Sequence, residues 1–289
     1  MLIIFTIKYF MIDTWYKIDN NIIDLRANFE PKDFITASRD TVNLIMNNYK
    51  PPYYILVTGG LDSQVVLYSW KLFGDNYIPT SIRYNNDFNK HDLVSLEEFS
   101  KILDINIEYV NFDVLSFFKN YKSFANQFRC VSPHFAVHLA FSHLFDGTVI
   151  LSGDRLQLNS ANITWENMCL YQARSYRSIV PYFLLHTPQI AYSMYHNPVF
   201  LSSASRKVNF SQNYLKYLIY KQDGIPVICP KDKFTGFEKI KEYFDNEQTV
   251  DPLDKLRFGN LPSKRNFDLL FRYPYSEKFK GPKIQYILN

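Results

Sequence analysis

The chain has 289 residues, 47% of them hydrophobic and 21% charged, which suffices for a sizeable core and excludes wholesale disorder. At ~150 residues per domain the length fits one large domain or two modest ones, and a net charge of +4 is too small to argue for nucleic acid by itself. The three cysteines, Cys130, Cys169 and Cys229, have no CxxC spacing, which argues against a disulfide framework or a cysteine zinc site and fits a reducing compartment.

Residues 1–13 are apolar but short, without a basic leading region or a small-residue cleavage site, and so do not read as a signal peptide. They read as a buried first strand, or as the product of a gene start placed upstream of a true one at Met11. No run approaches the ~18 apolar residues of a membrane span. The expected location is the cytoplasm, or the host cytoplasm for a viral source; 25 Phe and 22 Tyr beside many Asn, Ile and Lys suggest the codon bias of an AT-rich genome, such as a viral one.

Pro31 opens a predicted helix over residues 31–48, with Phe34, Ile35, Ala37, Val42, Leu44 and Ile45 as apolar positions. After Pro51-Pro52, residues 53–58 form an apolar run rich in β-branched and aromatic side chains, which reads as a buried parallel strand. Gly59-Gly60 follow at once. Then come a helix over 61–73, a strand over 78–84, a helix over 91–103 and a strand over 107–110. Residues 114–145 read as mostly helical, with a restart after Pro133 capped by Ser132. A fourth buried strand over 148–152 leads into Gly153-Asp154. This alternation predicts an α/β fold built on a doubly wound parallel sheet. Beyond Asn162 the segments 170–185, 189–195, 211–221 and 237–244 read as helices with no alternating strand. The expected organisation is an N-terminal extension and helix (1–50), an α/β core (51–162) and a mostly helical C-terminal lobe (163–289). The basic, proline-broken stretch 257–289 gives no assignment.

Glycine locates the chemistry. The chain has nine glycines, where average usage of ~7% would give roughly twice that number. Two of them directly follow the best predicted strand, and Gly153 follows the fourth. Ligands of open parallel sheets bind outside the carboxyl ends of the strands. A strand that turns into a helix through two glycines leaves backbone N–H groups unpaired at the positive end of a helix dipole, a cradle for an anion such as phosphate. Thr58 and Ser63 add hydroxyls. Asp62 would repel an anion, and makes sense as a Mg²⁺ ligand between phosphates or as an N-terminal helix carboxylate. The bland reading is a βα turn with a capping side chain.

The segment Thr58-Gly59-Gly60-Leu61-Asp62-Ser63 resembles the PP-loop of the ATP pyrophosphatase superfamily, a strand followed by SGGxDS, with Thr in place of the first Ser. It is not a Walker A loop, since no lysine follows the glycines, nor the GxGxxG of a dinucleotide site. Within that superfamily the chain is most similar to the synthetase domain of asparagine synthetases. Ser152, Gly153 and Asp154 resemble their second nucleotide motif, and the loop from Pro230 to Phe237 resembles their late basic K-x-GF loop. Two features depart from the family: Gln157 and Leu158 stand where an acidic pair is usual, and no cysteine precedes Cys130 to serve as a glutaminase nucleophile.

The resemblance implies adenylation of a carboxylate or amide oxygen by ATP with loss of pyrophosphate, then displacement of AMP by an amine or ammonia to form an amide or other C–N bond on a small molecule. It implies that Thr58, Gly59, Gly60, Leu61 and Ser63 hold the pyrophosphate and that Asp62 and Asp154 ligate Mg²⁺. Ile82 and Arg83 would receive adenine at the end of the second strand, and Lys233 would neutralise developing charge. RNA base modification through adenylation is the alternative enzyme reading, supported by the basic tail 264–283; a degenerate nucleotide-binding interaction module is another. His134 and His138 share a helix face at i,i+4, but neither they nor His143 complete a metal pattern. A sulfur-carrying pair of Cys130 and Cys229 lacks the context that tRNA thiolases provide.

Overall fold

The computed structural model describes residues 22–24, 32–119, 133–152, 162–166, 179–180, 183–205, 211–229, 236, 239–240 and 283–287. Its centre is a parallel sheet. Strand β2 (Tyr53–Leu56) lies between β3 (Tyr77–Tyr84) and β5 (Thr148–Leu151); β4 (Glu108–Phe112) flanks β3 and β7 (Ile179–Val180) flanks β5. Strands covered on both faces must be apolar throughout rather than alternating. β5 obeys this, being buried at all of its positions, whereas the edge strand β4 exposes Glu108 and Asn111.

The helices form where caps and apolar stripes coincide. Helix α1 (Phe34–Asn48) starts three residues after Pro31 because Asp33 caps it, accepting from the Thr36 N–H at 2.8 Å; that bond holds the Asp33 carboxyl below its ordinary value. Helix α2 (Leu61–Phe73) buries Leu61, Val65, Val66, Leu67 and Trp70, because it packs against α1 as well as the sheet. Helix α3 (Lys90–Leu103) precedes β4, and α4 (Val114–Lys119) and α5 (Pro133–Ser142) precede β5. Downstream come α6 (Pro188–Tyr195), α7 (Pro198–Ser205) and α8 (Gln212–Gln222), the last capped by Ser211.

The α/β parallel sheet is as expected. The C-terminal part is not purely helical. Within 170–185, Ile179 and Val180 pair with β5 and extend the main sheet to five strands among the described residues. Two β-branched residues are too short a run to register as a strand by periodicity, yet they cover an edge of β5 that would otherwise be unpaired. Strands β6 (Asn162–Glu166) and β8 (Lys283–Ile287) were also unanticipated. With β1 (Ile22–Asp24) they form a second sheet, in which β8 runs parallel to β1 and antiparallel to β6. Residues 1–13 lie outside the described ones.

One hydrophobic cluster runs from Ile55, Val65 and Ile150 to Val180, Phe183, Ile190, Ile219 and Tyr220. Segments on both sides of residue 162 therefore share a core. Ile150 is fully buried at the centre of it. Ile150→Ala is expected to lower unfolding stability by about 2–5 kcal/mol, the cost of a lost side chain and the cavity it leaves, measured by urea denaturation.

Candidate functional site

The strand order β4-β3-β2-β5-β7 reverses between β2 and β5, so the crevice beyond their carboxyl ends is the topological switch point of the sheet. Thr58 and Ser63 follow β2, and Ser152 follows β5. Their hydroxyls form a chain: Thr58 Oγ1 to Ser63 Oγ is 3.2 Å and Ser63 Oγ to Ser152 Oγ is 3.1 Å. The structure thus brings together Thr58, Gly59, Gly60, Leu61, Asp62, Ser63 and Ser152. Gly153, Asp154, Gln157, Leu158 and Lys233 lie outside the described residues.

The two glycines differ in what they do. A Cβ on Gly59 would lie 2.2 Å from the Asp92 carbonyl oxygen and 2.8 Å from Ser95 Cβ, so helix α3 dictates that glycine. Gly60 has φ −67° and ψ 150°, which any residue adopts, and the nearest atom to its added Cβ is Thr58 Oγ1 at 3.4 Å. Neither backbone nor packing requires glycine there. As the N-cap of α2 it offers no side chain, so the first-turn N–H groups of Leu61, Asp62 and Ser63 are left open to a ligand.

Asp62 is engaged. Lys216 Nζ donates to its Oδ2 at 2.6 Å and the Tyr220 hydroxyl donates to its Oδ1 at 3.0 Å. Both donors come from α8, one turn apart. The Lys216 side chain is only 6% exposed and that of Asp62 21%. Burial and the Asp62 charge raise the Tyr220 phenol well above its ordinary value, so it stays a neutral donor. Sequence reasoning missed both residues. A signal existed: Leu215, Lys216, Ile219 and Tyr220 share one stripe of α8, and a lysine on an otherwise apolar stripe calls for a buried partner.

A second tie joins the C-terminal part to the cradle. The fully buried Gln64 amide donates to the Gly59 carbonyl at 2.9 Å and to the Ile228 carbonyl at 3.1 Å, and accepts from the Ile228 N–H at 2.8 Å. Further on, Gly236 has φ +86°, and a Cβ there would meet the Phe88 carbonyl oxygen at 3.0 Å. The end of the basic loop is thereby seated on the turn after β3.

That turn bonds to the backbone at the end of β3. The Ile82 carbonyl accepts from Asn89 Nδ2 at 2.8 Å, and Asn89 Oδ1 accepts from the Tyr84 N–H. The Arg83 guanidinium lies 4.7 Å from the centre of the Tyr109 ring, a cation–π contact. Mg²⁺ takes oxygen donors and is commonly held by one or two carboxylates plus phosphates and water. Asp62 offers one such carboxylate, its two oxygens accepting from Lys216 and Tyr220, and no group of three His, Cys, Asp or Glu that could hold a metal occurs among the described residues. His134 and His138 lie on α5 and Cys130 lies outside the described residues. No helix among the described residues is long and apolar enough to cross a membrane.

No protein-family model matches the chain, and no curated protein matches it. Among solved structures, it is similar to the U34-tRNA thiolase NcsA from Methanococcus maripaludis with its [4Fe-4S] cluster. The identity is 12%, with 86% of this chain and 82% of that one covered and a TM-score of 0.29, a likeness too low to assign fold or function.

Two outcomes test the supports of the site. Gln64→Leu keeps the volume but strands the Ile228 N–H, and is expected to cost about 1–3 kcal/mol in denaturant unfolding. Asp223 ends α8, and burial pushes its carboxyl from 3.8 up to about 6, against the hydrogen bonds from Asn197. The folded state therefore holds that proton more tightly than the unfolded chain, and stability falls as pH rises through the window from 3.8 to about 6. Melting curves should show Asp223→Asn more stable than the wild type above this window, with the gain vanishing below it.

Proposed function

We propose that the chain binds ATP in the crevice between β2 and β5 and adenylates a carboxylate or amide oxygen of a small molecule, releasing pyrophosphate; an amine or ammonia then displaces AMP to form a C–N bond. The observation that carries the reading is Gly60. Its missing side chain serves no need of the fold and opens the first turn of α2 to close approach by a phosphate. The hydroxyls of Thr58, Ser63 and Ser152 converge on the same opening and would donate to phosphate oxygens. The Thr58–Ser63 motif and its asparagine-synthetase-like companions supply the reaction type.

In this reading the N–H groups of Leu61, Asp62 and Ser63 bind the β- and γ-phosphates, which leave together as pyrophosphate, while the Gly60 N–H is held by Thr58 Oγ1. Asp62, with Asp154, would hold Mg²⁺, which when bound spreads the charge of the leaving group. Adenine would sit at the carboxyl end of β3 against Ile82 and Arg83, where Asn89 donates to the Ile82 carbonyl. Lys233 would meet the negative charge that develops at the α-phosphate; the seating of Gly236 against Phe88 brings the end of its loop to this edge of the sheet. Positioning and charge neutralisation do the work.

Mg-ATP should raise the melting temperature of the wild type, since a ligand at 100 times its Kd adds about 2.7 kcal/mol. Gly60→Val should fold, at the modest cost of a poorer N-cap, because a Cβ there makes only an ordinary contact with Thr58 Oγ1, and should lose the shift. AMP release should then appear in a screen of carboxylates and amines. A folded wild type with no shift would overturn the cradle; a shift without AMP release from any acceptor pair would favour a nucleotide-binding interaction module.

A further inference from the structure

We infer that Lys216 is the built-in counter-ion of Asp62 and that it bars free divalent metal from the cradle, so that metal enters only together with phosphate. The inference rests on the phosphate-cradle reading above and adds a rule of admission to it. Its basis is the geometry of a buried charge. Lys216 Nζ lies 2.6 Å from Asp62 Oδ2, and its side chain is 94% withdrawn from solvent. The other carboxylate oxygen accepts from Tyr220. Among the described residues, Asp62 is the only acidic side chain bonded to this ammonium.

A divalent cation reaching Asp62 alone must approach that ammonium, and like charges at such range repel strongly where water is scarce. It would also deprive the ammonium of its counter-charge, and a buried charge without a partner is unfavourable. A polyphosphate reverses both effects. Its oxygens accept from Lys216 as the carboxylate turns to the metal, and its negative charge offsets the metal's. Lys216 is therefore a positioning residue, acting on metal through Asp62.

The test is equilibrium dialysis of the full chain with Mn²⁺ and inorganic pyrophosphate as probes, measuring the metal and phosphate retained by the protein. The wild type should retain negligible Mn²⁺ alone and retain both probes when they are supplied together. Lys216→Met should bind Mn²⁺ alone about tenfold or more tightly than the wild type, the scale of one removed like charge at a partly screened site. Lys216→Arg, which keeps the charge, should behave as the wild type. The double variant Asp62→Asn/Lys216→Met, which removes both buried charges together, should fold and lose the Mn²⁺. Mn²⁺ held by the wild type without pyrophosphate, or an unchanged Mn²⁺ affinity in a folded Lys216→Met, would overturn the inference and leave the cradle standing. Failure of the wild type to retain pyrophosphate under any condition would overturn the cradle itself.

Discussion

The site depends on one buried side-chain amide. Gln64 sits in the second turn of α2 with no exposure, and its donors and acceptor reach both the Gly59 carbonyl at the start of the turn and the Ile228 backbone 164 residues away. A buried amide must be satisfied or it costs the fold several hydrogen bonds at once. Satisfying it here fixes the glycine turn to the strand-like segment that follows α8. The glycine turn before α2 and the segment after α8 are thus tied to one side chain. Gly236, held against Phe88 at a positive φ, pins the far end of that segment.

Charge is arranged on the same framework. The first turn of α2 favours a carboxylate through its dipole, and Asp62 stands there. A carboxylate that exposed its charge toward an incoming phosphate would still oppose it. Lys216 of α8 forms an ion pair with Asp62, and Tyr220 of the same helix donates to its other oxygen. Such a pair is weak evidence for stability, since desolvation of both ions offsets much of their attraction. Its retention among the apolar contacts of Leu215 and Ile219 is better explained by what it does to the site than by what it adds to the core.

Much of this was legible in the sequence because it is local. The strand before Gly59, the helix after Gly60 and the position of Ser152 follow from short apolar runs and from scarce glycine, and the structure places them at the switch point of the sheet. What could not be read is what arises over long separations. Nothing near Asp62 announces a partner 154 residues on, nor does Gln64 announce Ile228. The strand Ile179–Val180 exists because β5 offers an edge, a condition of the tertiary structure and not of the two residues. The Asn89 side chain that occupies Ile82 and Tyr84 belongs to the same class: a polar residue in a turn, whose role appears only once β3 ends beside it.

The adjacent glycines show how structural and functional demands can be separated without comparison to any other protein. Both would score alike in a motif. Only Gly59 is explained by what surrounds it, since α3 leaves no room for a methyl group there. For Gly60 the backbone is ordinary and a Cβ would make only an ordinary contact with Thr58 Oγ1, and an N-cap with a hydroxyl or carboxylate would stabilise the helix more than glycine does. A residue that is worse for the fold than common alternatives, at the point where three hydroxyls converge, has its reason outside the fold. The simplest such reason is a ligand atom that must come closer to the backbone than a side chain would allow.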